Sequence, residues 1–168
     1  MVSREPGQKG TWEFTDSTTL QRKRTEIINA LSASLGTPLA TRSRALYWSP
    51  AHDVRVACSI SKRYTKRSSY PYWYAYHPQW DEFLAEAREG YFVLGCMDLR
   101  VAFSIPWRVL KPALPALNTT TIDRGTYWHV HLVENAPRQY ALLLPKEGSS
   151  MPLSQYEVKL ASTETSPV

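Results

Sequence analysis

Residues 62–80 carry the residue types best suited to hold a polyanion that also has flat bases. Four cations, Lys62, Arg63, Lys66 and Arg67, come first. Tyr70, Tyr72, Trp73, Tyr74, Tyr76 and Trp80 follow. Nucleic-acid surfaces pair cations for phosphates with rings on which bases stack. Lys62, Arg63, Lys66 and Arg67 are the candidates for the phosphates. Tyr70, Tyr72, Trp73 and His77 are the candidates for stacking or hydrogen bonding. The same tyrosines and tryptophans also favour strands, and a strand must turn half of its rings into a core.

The second chemical pattern is His129-Val130-His131. Alternate residues of a strand share a face, so the two imidazoles could jointly bind a metal or act as acid and base. A metal site needs a third ligand. His52, His77, Asp98 and Glu134 are available, but spacing indicates none of them. The plainer reading is two hydrogen-bonded, half-exposed histidines. Cys58 and Cys96 lie in apolar stretches with no neighbouring cation, which argues against an activated thiolate. A reducing cytosol would leave both as buried free thiols. With 7 glycines and neither a Gly-x-Ser-x-Gly elbow nor a glycine-rich phosphate loop, a nucleotide cradle is not expected. Asp81, Glu82, Glu86 and Glu89 read as the solvated face of a helix.

Charge is distributed unevenly. The net charge is +5, yet residues 1–80 hold twelve Lys and Arg against five Asp and Glu, and residues 81–168 hold eight against ten. A basic N-terminal half suits an anionic partner; a solvated basic surface is the bland alternative. The 168 residues, 43% hydrophobic and 21% charged, fit one soluble domain. No apolar run approaches the roughly 18–20 residues that span a bilayer. The first ten residues are polar, without a signal-peptide core, so a cytoplasmic protein with no membrane partner is expected.

The elements that would position these groups follow from periodicity. Residues 1–16 read as a loose arm. Asp16 or Ser17 can cap a helix over 17–35, with Leu20, Ile27, Ile28, Leu31 and Leu35 on one face and Gly36 as its stop. Arg22, Lys23 and Arg24 near its start oppose the helix dipole, so these cations are expected to serve a partner. Strands are predicted at 45–48, at 54–61 (half-buried by alternation), at 70–77, at 91–96 (central), at 101–105, at 127–133 and at 139–144, with a short one near 156–158. The strand over 70–77 puts Tyr70, Tyr72, Tyr74 and Tyr76 on one face and Trp73, Ala75 and His77 on the other. Pro78 starts a helix that Gly90 ends, with Trp80 turned inward. Pro106 starts a short helix, and Asn118–Gly125 reads as a polar loop. Residues 161–168 read as a disordered tail. The fold class is therefore α+β, one domain over 17–160, with a mixed or mostly antiparallel sheet, an N-terminal helix and two further helices.

Seven stretches carry a resemblance: 61–64 (Ser-Lys-Arg-Tyr), 72–78 (Tyr-Trp-Tyr-Ala-Tyr-His-Pro), 82–84 (Glu-Phe-Leu), 90–96 (Gly-Tyr-Phe-Val-Leu-Gly-Cys), 105–106 (Ile-Pro), 117–120 (Leu-Asn-Thr-Thr) and 127–131 (Tyr-Trp-His-Val-His). Their order resembles a group of uncharacterised bacterial proteins, which implies no activity. More loosely, the order of elements is similar to small nucleases of the PD-(D/E)XK type. That similarity would give Asp53 and Lys62 catalytic places and call for a divalent metal. The acid two residues before the lysine would then be residue 60, which is Ile60, so the metal-binding pattern is broken there.

The expectation is a cytoplasmic, bacterial or phage-like domain that binds DNA or RNA through residues 62–77, aided by Arg22–Arg24, Arg42 and Arg44. It carries no catalysis, cofactor or metal of its own. The alternatives are a metal-dependent or degenerate nuclease of restriction or defence type, with Asp53, Lys62, His129 and His131 as candidate catalytic residues, and a protein-interaction module, possible as a homodimer.

Overall fold

A computed structural model describes residues 17–65 and 70–161. The N-terminal arm, Lys66–Ser69 and the C-terminal tail lie outside the described residues. The expected class is found. Among the described residues, three α-helices, α1 (Ser17–Leu35), α2 (Pro78–Ala85) and α3 (Trp107–Ala113), accompany two sheets. The first sheet runs β1 (Ala40–Thr41), β2 (Leu46–Trp48), β3 (Val54–Ser61), β5 (Glu89–Cys96), β6 (Val101–Pro106) and β11 (Glu157–Lys159). Only its β3–β5 pair is parallel. The second is antiparallel and runs β10 (Ser149–Pro152), β9 (Gln139–Leu144), β8 (Gly125–Ala136) and β4 (Tyr72–Tyr76), with β7 (Thr119–Ile122) also paired to β8.

Three layers result. Between the sheets, Tyr72, Tyr74 and Tyr76 of β4 and Val130 and Leu132 of β8 pack with Phe92, Leu94, Phe103 and Ile105. On the far side of the first sheet, Ile27, Ile28 and Leu31 of α1 cover Val56, Cys58, Val93 and Ala102. β3 is therefore buried on both faces through Ala57 and Cys58, where alternation predicted one wet face. Its polar residues are a local property; which layers cover it is not. Gly95 lets α1 come close, since a Cβ there would stand 2.6 Å from Ile27 Cδ1.

Other boundaries shift for identifiable reasons. α2 ends at Ala85, and Gly90 lies inside β5, paired with Arg55. Asn118–Gly125 is largely strand, because Thr119–Ile122 hydrogen-bonds back onto β8. β10 pairs with β9 in a stretch where no strand is predicted.

Candidate functional site

The basic–aromatic segment divides into structural and available parts. Arg63 is structural: its Nε reaches Asp98 Oδ2 at 2.6 Å, and its other nitrogens meet Tyr140 Oη at 3.1 Å and Glu134 at 3.5 Å. Its guanidinium also lies 5.1 Å from the Tyr72 ring centroid. Tyr72 is fully buried, and its hydroxyl donates to Asp98 Oδ1. Both candidates thus tie the β3–β4 connection to the β5–β6 turn and to β9 rather than facing a ligand. Burial pushes the Asp98 carboxyl up, but the Tyr72 hydroxyl and Arg63 together hold it below the usual carboxylate range. Asp98 and Glu134 are thereby committed, and neither completes a metal site with the histidines. Lys66 and Arg67 lie outside the described residues.

The remaining rings line the outer face of the second sheet. Because Tyr72, Tyr74 and Tyr76 point inward, Trp73, Ala75 and His77 point out. β8 sets Tyr127, His129 and His131 beside them, with Trp73 opposite His131 and Ala75 opposite His129. A near-continuous run of ring contacts follows. Tyr70 lies 5.3 Å from His131, His131 is 6.2 Å from His129, and His129 is 5.3 Å from Tyr127. Tyr127 is then 5.8 Å from His77, and His77 is 4.6 Å from Trp80. Trp73 packs edge-on to His129 at 5.8 Å.

His129 fixes this face. The Trp73 indole N–H donates to its Nδ1 at 3.2 Å, so the ring proton sits on Nε2 and is donated to Thr120 Oγ1. Neither nitrogen has a lone pair to spare for a metal. His131 Nδ1 is buried without a partner among the described residues. Burial, reinforced by His129, lowers the His131 pKa, and burial lowers that of His77. Both histidines gain protons more readily when unfolded. Stability is then full above the ordinary histidine value of about 6.5 and declines as pH falls through it. Melting temperature is expected to drop between pH 7.5 and 5.5, and His131→Phe to blunt the drop; a melting temperature flat over that window, or the same drop in the variant, would refute the assignment.

Two grooves flank the ring face. The first, about 630 Å³, opens where β3 and β4 splay, and Lys62, Tyr64, Trp73, His77 and Trp80 are among its walls. Ser61 Oγ pins the apex by accepting the Trp73 backbone N–H at 3.1 Å. Lys62 Nζ lies 5.1 Å from the exposed Tyr64 ring. The second groove, about 750 Å³, is lined by Arg22, Arg24 and Arg44 along α1 and the loop before β2. Leu20 belongs to both grooves, so they adjoin. Among the described residues, none of Lys62, Arg22, Arg24 and Arg44 has a carboxylate partner. A smaller recess of about 260 Å³ holds Arg124 between His77 and Tyr127.

Two expected cations are not part of this surface. Lys23 is buried and donates to Leu99 O at 2.6 Å, and Arg42 lies over Trp48. Trp80 packs on the core as expected and also walls the first groove. Spacing gave no signal for Tyr64, Tyr127 and Arg124, because their neighbours come from distant strands. Asp53 and Lys62 flank opposite ends of β3, about 30 Å apart along the strand. Asp53 instead accepts from Ser49 Oγ and Arg88. The cysteines are free and buried, and burial raises both thiols to about 12. Asp81, expected on a wet face, is buried and accepts from three side chains. Among the described residues no group of three or more His, Cys, Asp or Glu is placed to hold a metal, and no helix is long and apolar enough to cross a membrane.

Compared with known proteins, the chain matches no family model, no curated protein and no solved structure.

Proposed function

We propose that this chain is a nucleic-acid-binding domain, acting without catalysis of its own, that holds phosphates in its arginine-lined groove and bases on its ring-lined one. The observation that carries this reading is convergence. Lys62, Trp73 and His77 come from different elements into one groove, and that groove shares Leu20 with a second one lined by Arg22, Arg24 and Arg44. Cations without carboxylate partners beside half-exposed rings are what a phosphate backbone with stackable bases requires. A cytoplasmic setting suits the two free thiols. The nuclease alternative draws no support from Asp53, whose carboxylate is engaged far from Lys62.

The test is a salt titration of affinity for labelled DNA and RNA oligonucleotides. Lys62, Arg22 and Arg44 on phosphates should give a log–log slope of about −2 on a single strand, each contributing about 0.7; Arg24, whose Nε is buried and whose side chain meets the buried Cys58 thiol, is not counted. Absence of binding, or binding indifferent to salt, would refute the reading.

A further inference from the structure

We infer that the ligand is a single strand, and that one unpaired base sits in the groove between the two sheets while its flanking phosphates run past Lys62 into the arginine groove. This inference rests on the nucleic-acid reading and specifies its substrate class. A paired base offers only its edge to a protein, whereas an unstacked base offers its faces. The first groove is a recess rather than a flat surface, and its walls are rings: Tyr64, Trp73, His77 and Trp80. At about 630 Å³ it lies within the range of about 300–1,000 Å³ typical of sites that enclose small ligands. A rod-like duplex cannot bring a ring-stacked base into such a recess without first expelling it.

The recess is also set before any ligand arrives. The Trp73 indole is held by His129, which is held in turn by Thr120, and the Trp73 backbone is held by Ser61. A stacking ring already fixed in place loses little freedom on binding. Charge continues from the recess in one direction. Lys62 stands beside Tyr64, and beyond Leu20 lie Arg22, Arg24 and Arg44. A strand leaving the recess therefore meets cations within a few nucleotides.

The experiment measures affinity of the full chain for one short mixed-sequence oligonucleotide, as DNA and as RNA, each single-stranded and annealed, at one salt concentration. Single strands are expected to bind at least about tenfold more tightly than duplexes, and the DNA and RNA arms identify the preferred sugar. Trp73→Ala and, separately, Tyr64→Ala should each weaken single-strand binding by about 5- to 150-fold, the worth of one stacked base, and leave duplex binding unchanged. Tyr64 is 41% exposed, so its removal does not threaten the fold. Duplex binding as tight as single-strand binding, with Tyr64→Ala weakening neither, would overturn the inference and leave the nucleic-acid reading standing. If no form bound at all, both would fall.

Discussion

Reversal of Lys62, Arg22 and Arg44 to glutamate is expected to weaken single-strand binding by about 100-fold at about 0.1 M salt and to reduce the salt slope by about 2. Each phosphate contact releases counterion worth about 0.7 in the slope, so three contacts together are worth about two decades between 1 M and 0.1 M salt. The three residues suit the test because, among the described residues, none is tied to a carboxylate. Arg63, by contrast, cannot be used: its loss would strip Asp98 and Glu134 of a partner and disturb the fold. Lys146→Glu, an exposed cation outside both grooves, controls for the net-charge change of one such reversal, to be compared with Lys62→Glu alone. An unchanged slope in the triple variant, or an equal loss in the control, would show that these grooves do not carry the backbone.

Asp81→Ala is expected to cost about 3 kcal/mol of stability. Asp81 sits in the first turn of α2, where its carboxylate accepts from Tyr76 Oη at 3.0 Å, Trp107 Nε1 at 2.8 Å and Lys111 Nζ at 2.7 Å. It joins β4, α2 and α3 in one buried knot. Tyr76 is fully buried, so the variant leaves its hydroxyl unsatisfied, and hydrogen bonds to a charged group are worth about 1.5–3 kcal/mol each. For a domain of this size that corresponds to a fall in melting temperature of about 6–12 °C. Burial alone would raise the Asp81 carboxyl, but Lys111, Trp107 and Tyr76 together hold it below its ordinary value. Its contribution is therefore present above the ordinary carboxylate value of about 3.9 and fades as pH falls through the lower folded one. The gap in stability between the wild type and Asp81→Asn should close below about pH 4. A gap that persisted there, or an Asp81→Ala variant as stable as the wild type, would contradict this account.

Asp81 also shows why surface and core are hard to separate by sequence. Glu82 follows it in the helix and Glu86 lies just past the helix end, and only the arrival of α3, some twenty-five residues later, turns Asp81 into a buried acceptor. The same logic governs Arg63 and Lys62. They are adjacent cations in one connection, indistinguishable by type. Arg63 is drawn in by Asp98, Glu134 and Tyr140 from three other places in the chain, while Lys62 is left beside Tyr64 at the groove.

The stretch 62–80 thus returns in a narrower form. Its alternation alone determined that Tyr72, Tyr74 and Tyr76 would share one face and Trp73 and His77 the other, because a strand's period is two whatever surrounds it; Tyr70, expected with those tyrosines, precedes the strand and meets His131 on the outer side instead. Composition and periodicity likewise determined the α+β class, the helix over 17–35 and the basic bias of the N-terminal half, all of which depend only on near neighbours in the chain. Which face of the stretch met the core was decided by tertiary structure, because only the packing of the second sheet on the first buries the tyrosines. The same packing brought His129 and Thr120 to lock Trp73, and laid α1 so that Arg22, Arg24 and Arg44 adjoin Lys62 across Leu20. Those relations join residues tens of positions apart, and no local period encodes them.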